Sequence, residues 1–182
     1  MGECKKVRFL HGRKNFMRVS NELIDAEMDV MRRVSGLPIN QQALAVSSNI
    51  WRASQALRLQ LERSILRQYK LSWSSFSTLF IVWVWGPIEM SEIARHQSVS
   101  RPTITHTVNL LEKRGYCERQ FIGENGDRRV VQVILTETGR ELVEEVFPKF
   151  NQGEADFVAS LTDEECKTLA KLLRKVVQHN KI

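Results

Sequence analysis

The chain has 182 residues, 42% of them hydrophobic, and 27 Lys/Arg against 21 Asp/Glu give a formal charge of +6. That length supports one core with accessory helices rather than several independent domains. Three cysteines (Cys4, Cys117, Cys166) without a CxxC pair argue against a disulfide framework and a structural zinc site. The longest apolar run, residues 79–85, is far below the roughly 18 residues that span a bilayer, so a cytoplasmic protein without cofactor or metal is expected.

The charge is unevenly placed. Residues 1–19 carry Lys5, Lys6, Arg8, Arg13, Lys14 and Arg18 against Glu3, nearly the whole excess, and residues 93–129 hold seven basic against four acidic side chains, offset by a net acidic remainder. A basic arm and a basic middle suit a polyanion; the arm also reads as a solubilising terminus. Leu23, Ile24, Met28, Met31 and Val34 then recur at helical spacing up to Gly36-Leu37-Pro38. From 40 to 69 there is no Gly or Pro, and Ile50, Ser54, Leu57, Leu61 and Ile65 form a near-heptad stripe, predicting a helix about 42 Å long. Ser72 is an N-cap for a third helix whose residues 76–85 are apolar almost all round, which predicts burial on every side before Gly86-Pro87 ends it.

Residues 90–94 (MSEIA) read as a short helix with Ile93 and Ala94 inward, followed by a turn over 95–99. Ser100 then caps a helix that tolerates Pro102 in its first turn and stops at Gly115. Ile104, Val108 and Leu111 share its inner face, so Pro102, His106, Asn109 and Lys113 face outward, flanked by Thr103. Hydroxyl, imidazole and amide groups on such a face can meet base edges in a major groove, and Arg101 can pair bidentately with guanine. Residues 116–122 and 130–135 alternate as strands about an Asn125-Gly126 turn. Asp127, Arg128 and Arg129 stand at the tip, where a guanidinium can enter a minor groove or contact phosphate.

Thr136 caps a further helix carrying Leu142, Val143, Val146, Phe147 and Phe150, with a bend expected at Pro148. Leu161 and a Thr162–Glu165 capping box open a last helix with Leu169, Leu172, Leu173, Val176 and Val177 on one side. Apolar-faced helices at both ends exceed what the centre can cover, so a homodimer is expected. The expected class is mainly α with a small β-hairpin (α+β): a winged helix-turn-helix flanked by dimerisation helices. The boundaries are a basic arm and short helix at 1–38, an N-terminal dimerisation helix at 39–71, the DNA-binding domain at 72–135 and C-terminal dimerisation helices at 136–182.

The stretch SVSRPTITHTVNLLEKRGYCER, followed by GDRRVVQVILTETGREL, resembles the multiple antibiotic resistance regulator (MarR) family, including its Asp-x-Arg wing and its Val-x-Leu-Thr strand. The resemblance runs from about residue 40 to 177 and includes LSWSSFSTL before the motif. It implies a homodimer joined through its terminal helices and reading a pseudo-palindromic operator on double-stranded DNA, most often as a repressor. On that basis Ser100, Arg101, Pro102, Thr103, His106, Asn109 and Lys113 are the recognition-helix candidates, and Asp127, Arg128 and Arg129 the wing candidates. The resemblance also implies release by a small aromatic or anionic effector, with Trp51, Phe80 and Trp83 as candidate lining, although aromatics at this spacing read first as core. Cys4 lies before the usual family start, and Cys117 reads as a packing residue.

No P-loop, HExxH, GxSxG or Gly-rich dinucleotide turn is present, so no enzyme is expected, and the four histidines lack ligand spacing. The alternative from another class is a winged helix used as a protein-interaction module, whose recognition face would be acidic or apolar.

Overall fold

The computed structural model describes residues 24–122 and 130–180, so the basic arm with Cys4 and the tip with Asp127, Arg128 and Arg129 lie outside the described residues. The elements are α1 (Asp25–Val34), α2 (Gln41–Ser64), a 3-10 turn (Leu66–Tyr69), α3 (Trp73–Trp85), β1 (Ile88–Glu89), α4 (Met90–Gln97), α5 (Arg101–Lys113), β2 (Cys117–Ile122), β3 (Val130–Leu135), α6 (Glu137–Phe157) and α7 (Asp163–His179). They divide between two units, Met1–Ala45 and Val46–Ile182.

In the first unit, α1 spans the predicted short helix. The Ile24 backbone N–H donates to the Glu27 carboxylate at 3.2 Å. Asp25 and Glu27 at its start and Arg32 and Arg33 at its end complement the helix dipole.

In the second unit, the stripe on α2 is used only towards its C-terminal end. Leu61 is buried and Leu57 and Ile65 are half-buried, whereas Ile50 and Ser54 are exposed. The predicted single helix over 40–69 is interrupted: the α-helix stops at Ser64, Ile65 leaves helical geometry, and the 3-10 turn follows. That turn buries Leu66 completely. Burying a leucine contributes roughly 2 kcal/mol and a helical hydrogen bond about 1, so burial wins over helical continuity. The turn is held from the far side, where Tyr69 Oη donates to Glu145 Oε1 of α6 at 2.8 Å and Lys149 donates to both groups.

Helix α3 forms as its cap predicts, with Ser72 Oγ accepting from the Ser75 N–H at 3.1 Å. Ser75, Phe76, Thr78, Leu79, Ile81 and Val82 are buried. Burial on every side fails in the last turn, because Val84 and Trp85 project beyond the core and are exposed. The core joins α3, α5, β3 and α6 through Leu79, Val82, Ile104, Val108, Leu111, Val133, Val143 and Val146.

The sheet has the order β1-β3-β2, all antiparallel, with Arg119 opposite Val133 and Ile88 also opposite Val133. The hairpin strands are those predicted; β1 is an addition, since two residues are too few to display a period of two. Helix α6 runs on through Pro148 to Phe157. The described fold is therefore mainly helical with a small antiparallel sheet, a winged helix-turn-helix.

The junction that seats the sheet is tight. Thr136 Oγ1 donates to the Gly115 carbonyl at 2.6 Å and accepts from the Gly139 N–H at 3.1 Å. Gly115, at φ 74°, supplies the left-handed turn after α5. A Cβ on Gly139 would lie 1.8 Å from the Tyr116 carbonyl oxygen. Gly139→Ala should therefore lower stability by about 3 kcal/mol in denaturant melts. Gly36→Ala, with open space around Gly36, should stay within about 0.5 kcal/mol; equal effects would disprove the close approach.

Candidate nucleic-acid interface

Three devices set α5. At its start, Ser100 Oγ accepts from the Thr103 N–H at 3.4 Å and bonds Thr103 Oγ1 at 2.8 Å, and Pro102 sits in the first turn. Along its inner face, Ile104, Val108 and Leu111 are at most 1% exposed, and Thr107, which the spacing does not single out, is buried beside them, its hydroxyl 3.3 Å from Ser74 Oγ. At its end, Arg114 donates to the carbonyls of Lys70 and Tyr69 at 2.8 and 3.0 Å and lies over the Tyr116 ring.

The preceding turn is equally defined. Ser98 adopts the left-handed region at φ 53°, and Gln97 Nε2 donates to the fully buried Thr78 Oγ1 at 2.7 Å. The end of α4, from which the turn departs, is thus tied to α3.

With the inner face filled, Ser100, Arg101, Pro102, Thr103, His106, Asn109 and Lys113 are all exposed. Among the described residues Arg101 and Lys113 make no ion pair, whereas Arg95 is held by Glu92 and Arg119 by Glu112. The Arg95 guanidinium beside Glu92 holds that carboxyl below its ordinary range. Arg119 and Arg114 are the functional candidates that sequence reasoning missed; strand alternation shows that Arg119 has a side, not which helix residues it meets.

The three candidate ligand residues do not converge. Phe80 lines a cavity of about 810 Å³ with Arg58, Trp85, His96, Thr103 and Phe147 among its walls. Trp83 lies outside that lining, packs on Phe147 and donates to Glu144 at 3.4 Å. Trp51 is 65% exposed in a separate shallow depression with Ser47, Ser48 and Arg52. Missed by the sequence reading are Arg58, Trp85 and His96, the last two stacked at 4.5 Å between ring centres.

Cys117 is 3% exposed, and burial, reinforced by the charge of Glu112, pushes its thiol up to about 12 from an ordinary 9.0. Cys166 on α7 is half-buried. Among the described residues no cluster of His, Cys, Asp and Glu could hold a metal ion, and no helix is long and apolar enough to cross a membrane.

A capped helix with a polar outward face, a fixed preceding helix and turn, and an adjacent hairpin together define a winged helix-turn-helix of the DNA-binding transcriptional regulators. The MarR family model matches residues 71–131. The uncharacterised HTH-type transcriptional regulator YwaE of Bacillus subtilis is 35% identical over 161 residues, covering 87% of this chain and 93% of that one. Among solved structures, the Staphylococcus aureus MepR–DNA complex shares the fold at TM-score 0.64 and 21% identity, covering 73% of this chain and 96% of that one. Bordetella bronchiseptica BpsR, whose structure concerns regulation of DNA binding by 6-hydroxynicotinic acid, is 26% identical at TM-score 0.66, covering 72% and 98%. The chain belongs to the MarR family. It is a transcriptional regulator, not an enzyme.

Because folding raises the Cys117 pKa, the native state retains a proton that the unfolded chain loses between about pH 9 and 12. The associated stability is complete below pH 9 and disappears as pH rises towards 12. At pH 8 a thiol reagent followed by peptide mass mapping should modify Cys166 and leave Cys117 unmodified until denaturant is added; rapid native labelling of Cys117 would refute its assignment as an inert packing residue.

Proposed function

We propose that the chain is a homodimeric repressor that reads a pseudo-palindromic operator, with α5 in the major groove and the hairpin wing on the neighbouring minor groove or phosphates. The observation that carries this reading is the outward face of α5, where Arg101, Thr103, His106, Asn109 and Lys113 are exposed above a fully buried apolar stripe. In this reading Ser100 and Pro102 shape the helix entry, and Asp127, Arg128 and Arg129 form the wing tip. The absence of ion pairs on Arg101 and Lys113 among the described residues supports it, since a cation without such a pair is available to phosphate or guanine.

Dimerisation is supported by α7, which buries none of its residues within one chain and exposes Leu169, Leu172, Leu173, Val176 and Val177. A second copy is the simplest cover for such a face. The domain boundaries follow: an arm and short helix at 1–38, dimerisation segments at 39–71 and 136–182, and the DNA-binding domain at 72–135. The reading places the protein in the cytoplasm with DNA.

Release by a small aromatic or anionic effector is supported by the cavity beside α5. Its walls combine Phe80, Trp85 and Phe147 with Arg58 and His96, and Thr103 belongs both to this lining and to the exposed start of α5. Trp51 and Trp83 lie outside that lining and would serve the pocket only indirectly.

The experiment is selection of bound sequences from a random DNA pool with the full chain, beside sedimentation. A dimer should select two inverted half-sites about one helical turn apart, with affinity falling at least roughly a hundredfold between about 50 and 200 mM salt. Arg128→Ala or Arg129→Ala should weaken binding to all sequences, whereas Thr103→Ala or His106→Ala should change the preferred sequence. A monomer in sedimentation, or no enriched sequence, overturns the proposal.

A further inference from the structure

Arg119 projects from β2 onto both helices of the helix-turn-helix. One guanidinium nitrogen, Nη1, pairs with Glu112 Oε2, while Nη2 donates to Asn109 Oδ1 at 2.7 Å and lies 4.0 Å from Met90 Sδ. The ion pair is sheltered, with the Arg119 and Glu112 side chains 21% and 27% exposed. Asn109, by contrast, is exposed on the outward face of α5.

The chemistry of the pair fixes which way the amide points. A guanidinium has only donors, so the Asn109 group nearest it must be the carbonyl oxygen and not the NH₂. An asparagine that reads adenine bidentately needs both ends of its amide: the oxygen accepts from N6 and the NH₂ donates to N7. With its oxygen engaged by Arg119, Asn109 has its NH₂ left to offer. That donor matches O6 or N7 of guanine, O4 of thymine and N7 of adenine, and finds no acceptor on the major-groove edge of cytosine.

We infer that Arg119 is a positioning residue for sequence reading: by holding the oxygen of Asn109 it leaves the NH₂ as the group offered to the groove, which rejects cytosine on the contacted strand and gives up the two-point pairing that would single out adenine. The inference rests on the proposed reading of DNA by α5 and adds to it the base class read at one position. Glu112 completes the device by fixing the guanidinium in turn, so a wing strand determines what the recognition helix reads.

The test is the random-pool selection applied to the wild type and three variants. Asn109→Ala locates the base pair, because preference should collapse there alone. In the wild type that pair should disfavour cytosine by about fivefold without singling out adenine. Asn109→Asp retains a partner for Arg119 but turns an acceptor outward, so preference should invert towards adenine or cytosine. Arg119→Ala frees the amide for two-point pairing, and the same pair should gain a preference for adenine while other positions keep their preferences. Adenine preferred by the wild type at that pair overturns the inference. So does Asn109→Asp weakening all sequences equally, as a phosphate contact would, or an Arg119→Ala variant that binds with unchanged preferences. A wild type that enriches nothing would instead refute DNA reading by α5 itself, and the two failures are distinguishable. Should Arg119→Ala unfold, the Asn109→Asp inversion decides alone.

Discussion

The seating of α5 is the constraint on which the other parts depend. Ile104, Val108 and Leu111 lose essentially all exposure in the core, and each such burial is worth roughly 1.5–3 kcal/mol. Together they approach the net stability of an ordinary domain, about 5–15 kcal/mol. No rotation of the helix about its axis is therefore affordable, and the outward residues are determined by what lies inside. The face available to DNA is the complement of the core.

Around that stripe, the fold uses cations in two ways. Arg114 fastens the end of α5 to the carbonyls of the 3-10 turn, and Arg119 fastens β2 to Glu112 and Asn109. Their charges are committed to protein groups, and their value is geometric. Among the described residues Arg101 and Lys113 have no such partner and keep their charge available. The net basic charge of this segment thus overstates the number of side chains ready for phosphate, and the difference is made by the arginines that position the others.

Helix α3 joins the two sides of the regulator. Its Thr78 accepts from Gln97 in the turn before α5, its Trp85 stacks on His96 of α4, and its Phe80 faces the cavity and packs on Phe147 of α6. A group entering the cavity would meet His96 and Gln97 at the end of α4 together with Thr103 at the start of α5. That adjacency gives the proposed effector a physical route to α5, through contacts only one side chain deep.

Much of this was legible in residue order, because it depends on neighbours within one or two helical turns. Ser72, Ser100, Thr136 and Thr162 announced their helices, and the 104-108-111 spacing announced the inner face of α5. The alternating runs on either side of Asn125-Gly126 announced β2 and β3. What spacing could not supply was contact between residues far apart: the break at Ile65 that buries Leu66, the pairing of Ile88 with Val133, the convergence of Phe80, His96 and Arg58 on one cavity, and the grip of Arg119 on Asn109. Local sequence determines the helices and their polar faces through hydrogen bonds and periodicity that close within a few residues. Tertiary packing decided which polar groups remain free to act, because a donor or acceptor is available only if no distant partner has already taken it.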